Sequence, residues 1–340
     1  MLAKLKSYSP GLLLTLLLAA AAFLLNRLVP GDLLGTSILA LVLGMACHRL
    51  LKRLPQAAAG VQFASTTVLK LGIILMGISL SFSQVLMVGR YALLLMLCTL
   101  TTAFGGGYLL ARLYKVDWKL SSLLSASTAI CGGTAVATLG PVIEAEDTHI
   151  AYAISATFLF DLLTVILFPW FGRLLGLTDI SYGLWVGTAV NDTSSVVAAG
   201  YGFSDAAGSF AVIVKLTRTL FIVPIVLTFS FIMARRKLKA AGKAQAAAPV
   251  NIASIFPWFV LLFAAMVAVK STGVLPESVV SGISALSKLF MIMALGAIGL
   301  KTSFQEVKGV GWKPMALGVS IDTSVVFVAL AAQAILQRLF

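Results

Sequence analysis

The most chemically informative part of the sequence is a polar run inside an apolar stretch, Gly187–Gly200, which reads GTAVNDTSSVVAAG. Asp192 lies in the middle of this stretch, where an ionisable side chain is costly and marks a functional site by default. The order Asn-Asp-Thr-Ser is typical of a helix N-cap, so a half-helix is predicted to begin at Asp192 or Thr193. The segment offers a carboxylate for a cation or proton and backbone N–H donors for an anion; a structural hydrogen-bond cluster between helices is the alternative. The predicted substrate contacts are Asn191, Thr193, Ser194 and Ser195.

A second unusual segment, Ser127–Pro141, reads STAICGGTAVATLGP. The paired glycines Gly132 and Gly133 favour a break in a helix, because glycine weakens helices and exposes backbone polar groups. Broken backbone at membrane depth is tolerated only where protein or a wet cavity surrounds it. A half-helix beginning near Thr134 would direct free N–H groups and the positive end of its dipole at a ligand. We therefore predict substrate contacts at Thr128, Gly132, Gly133 and Thr134, with close helix packing through small residues as the alternative.

Further ionisable residues are predicted inside apolar spans, namely Asp161, Lys215, Arg218 and Asp322. Because an unpaired buried charge is strongly destabilising, Asp161 is expected to pair with Lys215 or Arg218. Such a pair is either static or leaves one cation partly free to attract an anion. Asp322, which is followed by a threonine and a serine, is a second candidate with Asp192 for carrying a coupling ion.

The composition indicates which elements must position these residues. Hydrophobic residues make up 60% of the 340 residues and charged residues only 11%, against about 25% charged residues in soluble domains. Apolar runs of about 20 residues can cross a bilayer as helices, and backbone groups there must be satisfied internally, so an all-α polytopic bundle is predicted. The eleven predicted spans lie near 11–29, 33–51, 63–82, 90–113, 120–142, 149–172, 182–201, 208–234, 254–271, 284–301 and 314–337.

The formal net charge of +13 comes from Lys and Arg residues in short loops, where they set membrane orientation rather than bind nucleic acid. With the N-terminus in the cytoplasm and alternating spans, Arg112, Lys119 and Arg173 fall on the cytoplasmic side. The acidic loop Glu144–Asp147 falls on the opposite side. The expected location is a bacterial inner membrane, crossed many times, with a cytoplasmic N-terminus.

Two features describe the organisation of this single membrane domain. A basic, Ala-rich linker at 235–253 separates a first helical portion, 1–234, from a second, 254–340. The run KLGIILMGISLSFSQV from Lys70 resembles KLFMIMALGAIGLKTSFQEV from Lys288, and alternating spans give the two runs opposite orientation. Opposed similar segments are the signature of inverted-repeat transporters. The two polar segments also resemble each other, but alternating spans give them parallel orientation, which one inverted duplication does not explain.

No motif for catalysis or metal binding is present. The sequence has neither H-E-x-x-H nor G-x-S-x-G, no phosphate-binding loop, and cysteines on separate spans at Cys47, Cys98 and Cys131. We therefore predict no catalytic residue, cofactor or metal. The alternative from another class is an intramembrane aspartyl-type hydrolase, which would use Asp192 and Asp322 as its two carboxylates.

With these motifs in hand, the chain resembles the YeiH-like sulfate exporter family of conserved bacterial inner-membrane proteins. The resemblance rests on Thr128–Ile143, on Gly187–Gly200, on the run at Lys70 and on Lys288–Thr302, and it covers nearly the whole chain. It implies kinship with the cation/proton antiporter and bile-acid symporter folds, whose core domains contain crossed discontinuous helices. It supplies no list of functional residues.

Together these features predict a secondary transporter that exports a small anion, sulfate or a related sulfur oxyanion, coupled to protons or sodium ions. A transporter of a different organic anion is the nearest alternative. The expected partners are the anion, the coupling ion and membrane lipids, without nucleic acid, and a homodimer is left open.

Overall fold

The structure is a computed structural model that describes residues 2–28, 36–241, 256–301 and 312–339. These residues form helices joined by short turns, with no strand among them. Seven of the described helices are long and apolar enough to cross a membrane. The predicted all-α membrane architecture is therefore confirmed.

We number the α-helices in chain order. They are α1 (Leu2–Leu28), α2 (Thr36–Ala46), α3 (His48–Arg53), α4 (Ala58–Phe63), α5 (Leu69–Met76), α6 (Phe82–Thr101), α7 (Gly107–Tyr114), α8 (Trp118–Ala129), α9 (Gly133–Val142), α10 (Asp147–Leu174), α11 (Asp179–Ala189), α12 (Thr193–Phe203), α13 (Asp205–Thr219), α14 (Ile222–Ala241), α15 (Trp258–Ser271), α16 (Glu277–Lys301) and α17 (Trp312–Leu339). A π turn joins α4 to α5, so that Pro55–Ser79 forms one continuous helical rod, and a second π turn joins α6 to α7.

The first group of helices is called the scaffold bundle here and contains α1 to α5, α15 and α16. Helices α1 to α5 pack against α16, and α15 packs against α5. Small residues bring its backbones into direct contact. A Cβ on Gly44 would lie 2.3 Å from the carbonyl oxygen of Gly296, and a Cβ on Gly299 would lie 2.2 Å from that of Leu41. Helices in lipid associate largely through such close packing, since lipid tails are as apolar as the side chains.

The second group, called the hairpin bundle here, contains α6 to α14 and α17. Its centre is α10, which packs against α8, α9, α12 and α17. The bundles do not follow chain order, because α17 returns from the end of the chain to join the hairpin bundle. Helix α14 continues to Ala241, so the first residues of the predicted linker at 235–253 are helical. Residues 242–253 of that linker lie outside the described residues.

Helices α8 and α9 form a re-entrant hairpin, hairpin 1, and do not make one transmembrane span. Lys119 Nζ donates a hydrogen bond to the carbonyl oxygen of Glu144 at 2.6 Å, so the start of α8 lies beside the end of α9. A straight helix between these positions would separate them by about 37 Å. Hairpin 2, formed by α11 and α12, closes in the same way, with Ser204 Oγ donating to Asp179 Oδ1 at 2.5 Å. The predicted spans at 120–142 and 182–201 are therefore corrected: each turns back at its polar break.

The two hairpins enter the bundle at opposite ends of α10. Hairpin 1 opens beside the start of this helix, where Asp117 Oδ1 lies 3.9 Å from His149 Nδ1. Hairpin 2 opens beside its end, where the Arg173 guanidinium lies 6.0 Å from the Phe203 ring. Since α10 has 28 residues and extends about 42 Å, these openings lie on opposite faces of the protein. The face at Asp117, beside the N-terminus of α10, is called the N-terminal face here, and the face at Phe203, beside the C-terminus of α10, is called the far face.

This arrangement also corrects the predicted orientation of the polar segments and their loops. The hairpins are antiparallel, as one inverted duplication requires, and not parallel. Because hairpin 1 turns back, the acidic loop at Glu144 lies on the same face as Lys119. Arg173, at the end of α10, lies on the far face and not beside Lys119. The error arose because alternating spans assume that every apolar segment crosses.

Candidate functional site

A cavity of about 710 Å³ lies between the scaffold and hairpin bundles, next to the hairpin tips. The scaffold bundle lines it with the rod that contains α4 and α5 and with the start of α15. The hairpin bundle lines it with both tips and with the junction of α13 and α14. The lining residues are Ser65, Thr66, Leu69, Lys70, Ile73, Cys131, Thr134, Thr138, Asp192, Thr193, Ser194, Thr219, Ile222, Phe256, Pro257, Trp258 and Phe259.

The tips of the two hairpins touch each other beside this cavity. Gly132 has φ 65° and ψ −135°, a backbone conformation that is essentially restricted to glycine. A Cβ at this position would lie 3.3 Å from the Cα of Asp192. Helix α9 begins directly after this break, at Gly133, and α12 begins after the second break, at Thr193. The helix breaks predicted in both polar segments are therefore confirmed.

A buried lysine of α13 binds carbonyl groups that the breaks leave without helical partners. Lys215 Nζ donates to the carbonyl oxygen of Ile130 at 2.9 Å and to that of Val190 at 3.1 Å. It also donates to the carbonyl oxygen of Asn191. The side chain has no exposed surface, and the ammonium group uses all three of its donors. Lys215 therefore ties the tip of hairpin 1 to the tip of hairpin 2.

Arg218 lies one helical turn further along α13 and acts on the same tips. Its Nε donates to the carbonyl oxygen of Ala129 at 2.6 Å, and its Nη1 donates to that of Thr188 at 2.5 Å. These carbonyl groups belong to the last turns of α8 and α11. The guanidinium therefore satisfies the negative ends of both helix dipoles, where a cation is favourable.

Asp161 of α10 binds the opposite kind of backbone group. Its Oδ1 accepts the N–H of Asn191 and its Oδ2 accepts the N–H of Asp192, both at 2.9 Å. The prediction that Asp161 forms an ion pair with Lys215 or Arg218 is wrong, because the structure shows all three side chains bound to backbone groups. The break in hairpin 2 exposes carbonyl and N–H groups together, so each charge finds its complement in the main chain.

Asp322 of α17 supports the tips from behind the cavity. Its Oδ1 accepts from Thr128 Oγ1 at 2.5 Å and from Asn191 Nδ2 at 2.9 Å. The side chain is buried and does not line the cavity, where Asp192 is the only carboxylate among the described lining residues. Asp192 and Asp322 therefore do not face a common space, as the two carboxylates of an aspartyl hydrolase would.

The half-helices that start at the tips differ in how their N-termini are satisfied. Asp192 caps α12, because its Oδ2 accepts the N–H of Ser194 at 2.8 Å and also the hydroxyl of that residue. Helix α9 has Gly132 at its N-cap and no side-chain cap. Its exposed Thr134 lines the cavity. The N-terminus of α9 is therefore the one that the protein's own side chains leave open to a ligand.

The structure separates the predicted site residues into two sets. Thr134, Asp192, Thr193 and Ser194 line the cavity. The other predicted site residues do not line the cavity, and their roles in transport stay predictions. They are Thr128, Gly132, Gly133, Asn191, Ser195, Asp161, Lys215, Arg218 and Asp322.

Sequence analysis missed the wall that the scaffold bundle contributes. Lys70 lines the cavity, with its Nζ 5.8 Å from the ring centroid of Phe259. A signal for it existed, because Thr66, Lys70 and Ile73 recur at intervals of four and three residues and so share one helix face. The residues Phe256–Phe259 carried no such pattern.

The sequence profile of the family described as Conserved hypothetical protein 698 matches residues 10–318. The chain belongs to this family. The match covers both hairpins and the residues that line the cavity, and it ends in the first turns of α17, before Asp322. The resemblance to the YeiH-like family is therefore confirmed.

Relatives from several bacteria are similar to this chain along their full length. A UPF0324 membrane protein of Clostridium tetani is 53% identical over 335 residues, which cover 96% of this chain and 97% of the relative. UPF0324 membrane proteins of Streptococcus agalactiae and Streptococcus mutans are 34% and 36% identical, each over at least 96% of both chains. These family members are described as membrane proteins, in agreement with the apolar helices.

Proposed function

We propose that the protein is a secondary transporter that carries a small oxyanion through the cavity between its two bundles. The observation that supports this proposal best is the meeting of two opposed, broken hairpins beside a cavity. Broken helices near mid-membrane that belong to inverted repeats are the usual substrate sites of secondary transporters. Unwound backbone at that depth is retained where it lines a cavity or is buried in protein.

The cavity lining favours an anion. Of the hydroxyl groups that line the space, those of Thr134 and Thr193 donate to no other described group and can donate to an anion. The uncapped N-terminus of α9 adds backbone N–H groups and a partial positive charge. Lys70 supplies a full positive charge from the scaffold bundle. The volume of about 710 Å³ far exceeds the roughly 30 Å³ that one water occupies, so the cavity accommodates a sulfur oxyanion with bound water or a larger organic anion.

Asp192 is the proposed coupling site for a proton or sodium ion. Its carboxylate caps α12 and faces the same cavity as Thr134 and Lys70. A cation bound there would offset the repulsion between the carboxylate and an incoming anion. Substrate and coupling ion would then favour each other's binding, which is the thermodynamic requirement for coupled transport.

The proposed orientation places the N-terminal face in the cytoplasm. This face carries Arg112, Lys119 and Arg236, as the positive-inside rule requires. Trp258, the first residue of α15, forms part of the cavity wall. The structure would then present the cavity to cytoplasmic anions, in keeping with export across the inner membrane.

A proteoliposome screen tests the proposal. Purified protein is reconstituted and uptake of sulfate, sulfite, thiosulfate and small organosulfonates is measured with and without pH and sodium gradients. We expect saturable uptake of at least one of these anions that depends on one gradient. Gradient-independent cleavage of a substrate in detergent, with no anion uptake by the same preparation, would overturn the transporter proposal in favour of an enzyme.

A further inference from the structure

A second, smaller cavity lies between the same two bundles on the far face. Its volume is about 240 Å³. The scaffold bundle lines it with Ser79, Ser284 and Lys288, and the hairpin bundle lines it with Tyr201, Asp205 and Ser209. Neither hairpin tip reaches it, so it is not part of the site described above.

Successive turns of one helical rod line both cavities. Thr66, Lys70 and Ile73 line the first, called the wide cavity here, and Met76 and Ser79 line the second. These positions follow one another at intervals of three or four residues along the rod Pro55–Ser79. The two cavities therefore lie one after the other along the interface between the bundles.

A hydrogen bond joins the two bundles at the smaller cavity. Tyr201 Oη, on α12, donates to Met76 Sδ, on α5, at 2.8 Å. Both residues line the smaller cavity, and neither lines the wide one.

An ion pair holds the bundles together at the far face. Lys288 Nζ lies 2.6 Å from Asp205 Oδ2 and joins α16 of the scaffold bundle to α13 of the hairpin bundle. In the internal sequence similarity, Lys288 occupies the same place as Lys70, which opens the run KLGIILMG. Lys70 faces the wide cavity, and no described carboxylate lies within 4 Å of it. Lys288, by contrast, is paired with Asp205.

We propose that the smaller cavity is the closed far-face mouth of the same anion pathway and that Lys288–Asp205 is the latch that keeps it closed. The inference rests on the proposed transport function. When the bundles shift and the far mouth opens, Lys288 is released and faces the pathway as Lys70 does now. In the closed mouth the carboxylate of Asp205 binds Lys288, and in the open mouth a transported anion binds it instead. The two lysines are thus equivalent anion contacts at the two ends of the path.

Cysteine accessibility in lipid nanodiscs tests the latch without any transport measurement. All three native cysteines, of which Cys131 is buried, are first replaced by serine. Thr134→Cys, at an exposed position that lines the wide cavity, is then one reporter, and Ser209→Cys in a separate protein reports on the far mouth. We expect Asp205→Asn to raise the rate of labelling by a water-soluble maleimide at the far reporter and to lower it at the Thr134→Cys reporter.

The size of the effect follows from the exposure of the ion pair. Exposed pairs contribute little, so the ratio of the two states should change about two- to five-fold. The charge-swapped double variant Lys288→Asp with Asp205→Lys should restore both labelling rates. Glu277→Gln is the matched control, because Lys270 and Glu277 form an exposed pair at 2.9 Å within the scaffold bundle. It should leave both rates unchanged.

The outcomes separate the latch from the transport proposal. Unchanged labelling, or faster labelling at the far reporter alone, overturns the latch, because a latch must couple the two mouths. If Asp205→Asn does not fold, failure of the charge-swapped variant to match wild-type labelling overturns it as well. If the two labelling rates change in opposite directions but the protein transports none of the screened anions, the latch is supported and the proposed transport of these anions is refuted.

Discussion

Gly132 at the tip of hairpin 1 lies directly against Asp192 at the tip of hairpin 2, so closely that a Cβ on the glycine would make a tight contact. A Cβ on Gly132 would be 3.3 Å from the Cα, the Cβ and the backbone nitrogen of Asp192. The two polar segments that stand out in the sequence are therefore a single structural unit. Its geometry depends on a glycine at one tip, and this dependence can be tested directly.

Replacement of Gly132 by alanine should separate the tips. The residue has φ 65°, a conformation strained for any residue with a Cβ, and the added methyl group would press on Asp192. We expect a loss of about 1–3 kcal/mol of stability and most of the transport activity. Thermal unfolding followed by fluorescence, together with uptake in proteoliposomes, measures both effects. Gly282→Ala, at a helix position with open space around it, should leave uptake unchanged and raise stability by about 0.5–1 kcal/mol.

Lys215→Met should destabilise the protein severely. The substitution keeps most of the length of the side chain but removes the side-chain donor of the Ile130 and Asn191 carbonyl groups. It leaves the Val190 carbonyl with only the 3.4 Å hydrogen bond from Arg218 Nη1. Each unsatisfied group costs about 1–3 kcal/mol, so the sum is a large part of the stability of a typical fold. The yield of monodisperse protein and its midpoint of thermal unfolding are the measurements. Lys270→Met, at an exposed ion pair, is the control and should have a near-wild-type midpoint.

Asp192→Asn should separate the structural from the functional role of this residue. Asparagine is as good an N-cap as aspartate, so α12 and the fold should persist while the negative charge is lost. We expect coupled anion uptake to fall at least ten-fold without a change in the midpoint of thermal unfolding. Asp192→Ala should also lose about 1 kcal/mol of stability, because it removes the cap. Full gradient-driven uptake by the asparagine variant would refute the coupling role.

Lys70→Gln should weaken anion binding while leaving the fold intact. The ammonium group lines the cavity on the scaffold side, and a hydrogen bond to a charged group contributes about 1.5–3 kcal/mol. The KM for the transported anion should therefore rise about ten-fold or more, with a smaller effect on the maximal rate. Lys70→Arg keeps the charge and should retain most of the affinity. An unchanged KM in the glutamine variant would exclude Lys70 from substrate binding.

The class of the protein and the position of its breaks follow from local sequence. Long apolar runs leave helices as the solution in a bilayer, because backbone groups there have no water to bind. Paired glycines at Gly132 and an Asn-Asp-Thr-Ser run at Asn191 carry their own conformational preferences, so both breaks could be located from residue types alone. The internal similarity between the runs at Lys70 and Lys288 also predicted the inverted duplication.

The direction of each hairpin and the partners of each charge were decided by the tertiary structure. A segment of about 25 apolar residues can form one span or two short helices, and the second choice leaves backbone groups unpaired at the break. Packing against α10 and the buried side chains that bind these groups selects the hairpin. Asp161, Lys215 and Arg218 were expected to bind one another, since sequence shows charges but not the free carbonyl and N–H groups that a break creates. Once the breaks meet, those main-chain groups become the nearest partners, and the buried charges hold the two tips together.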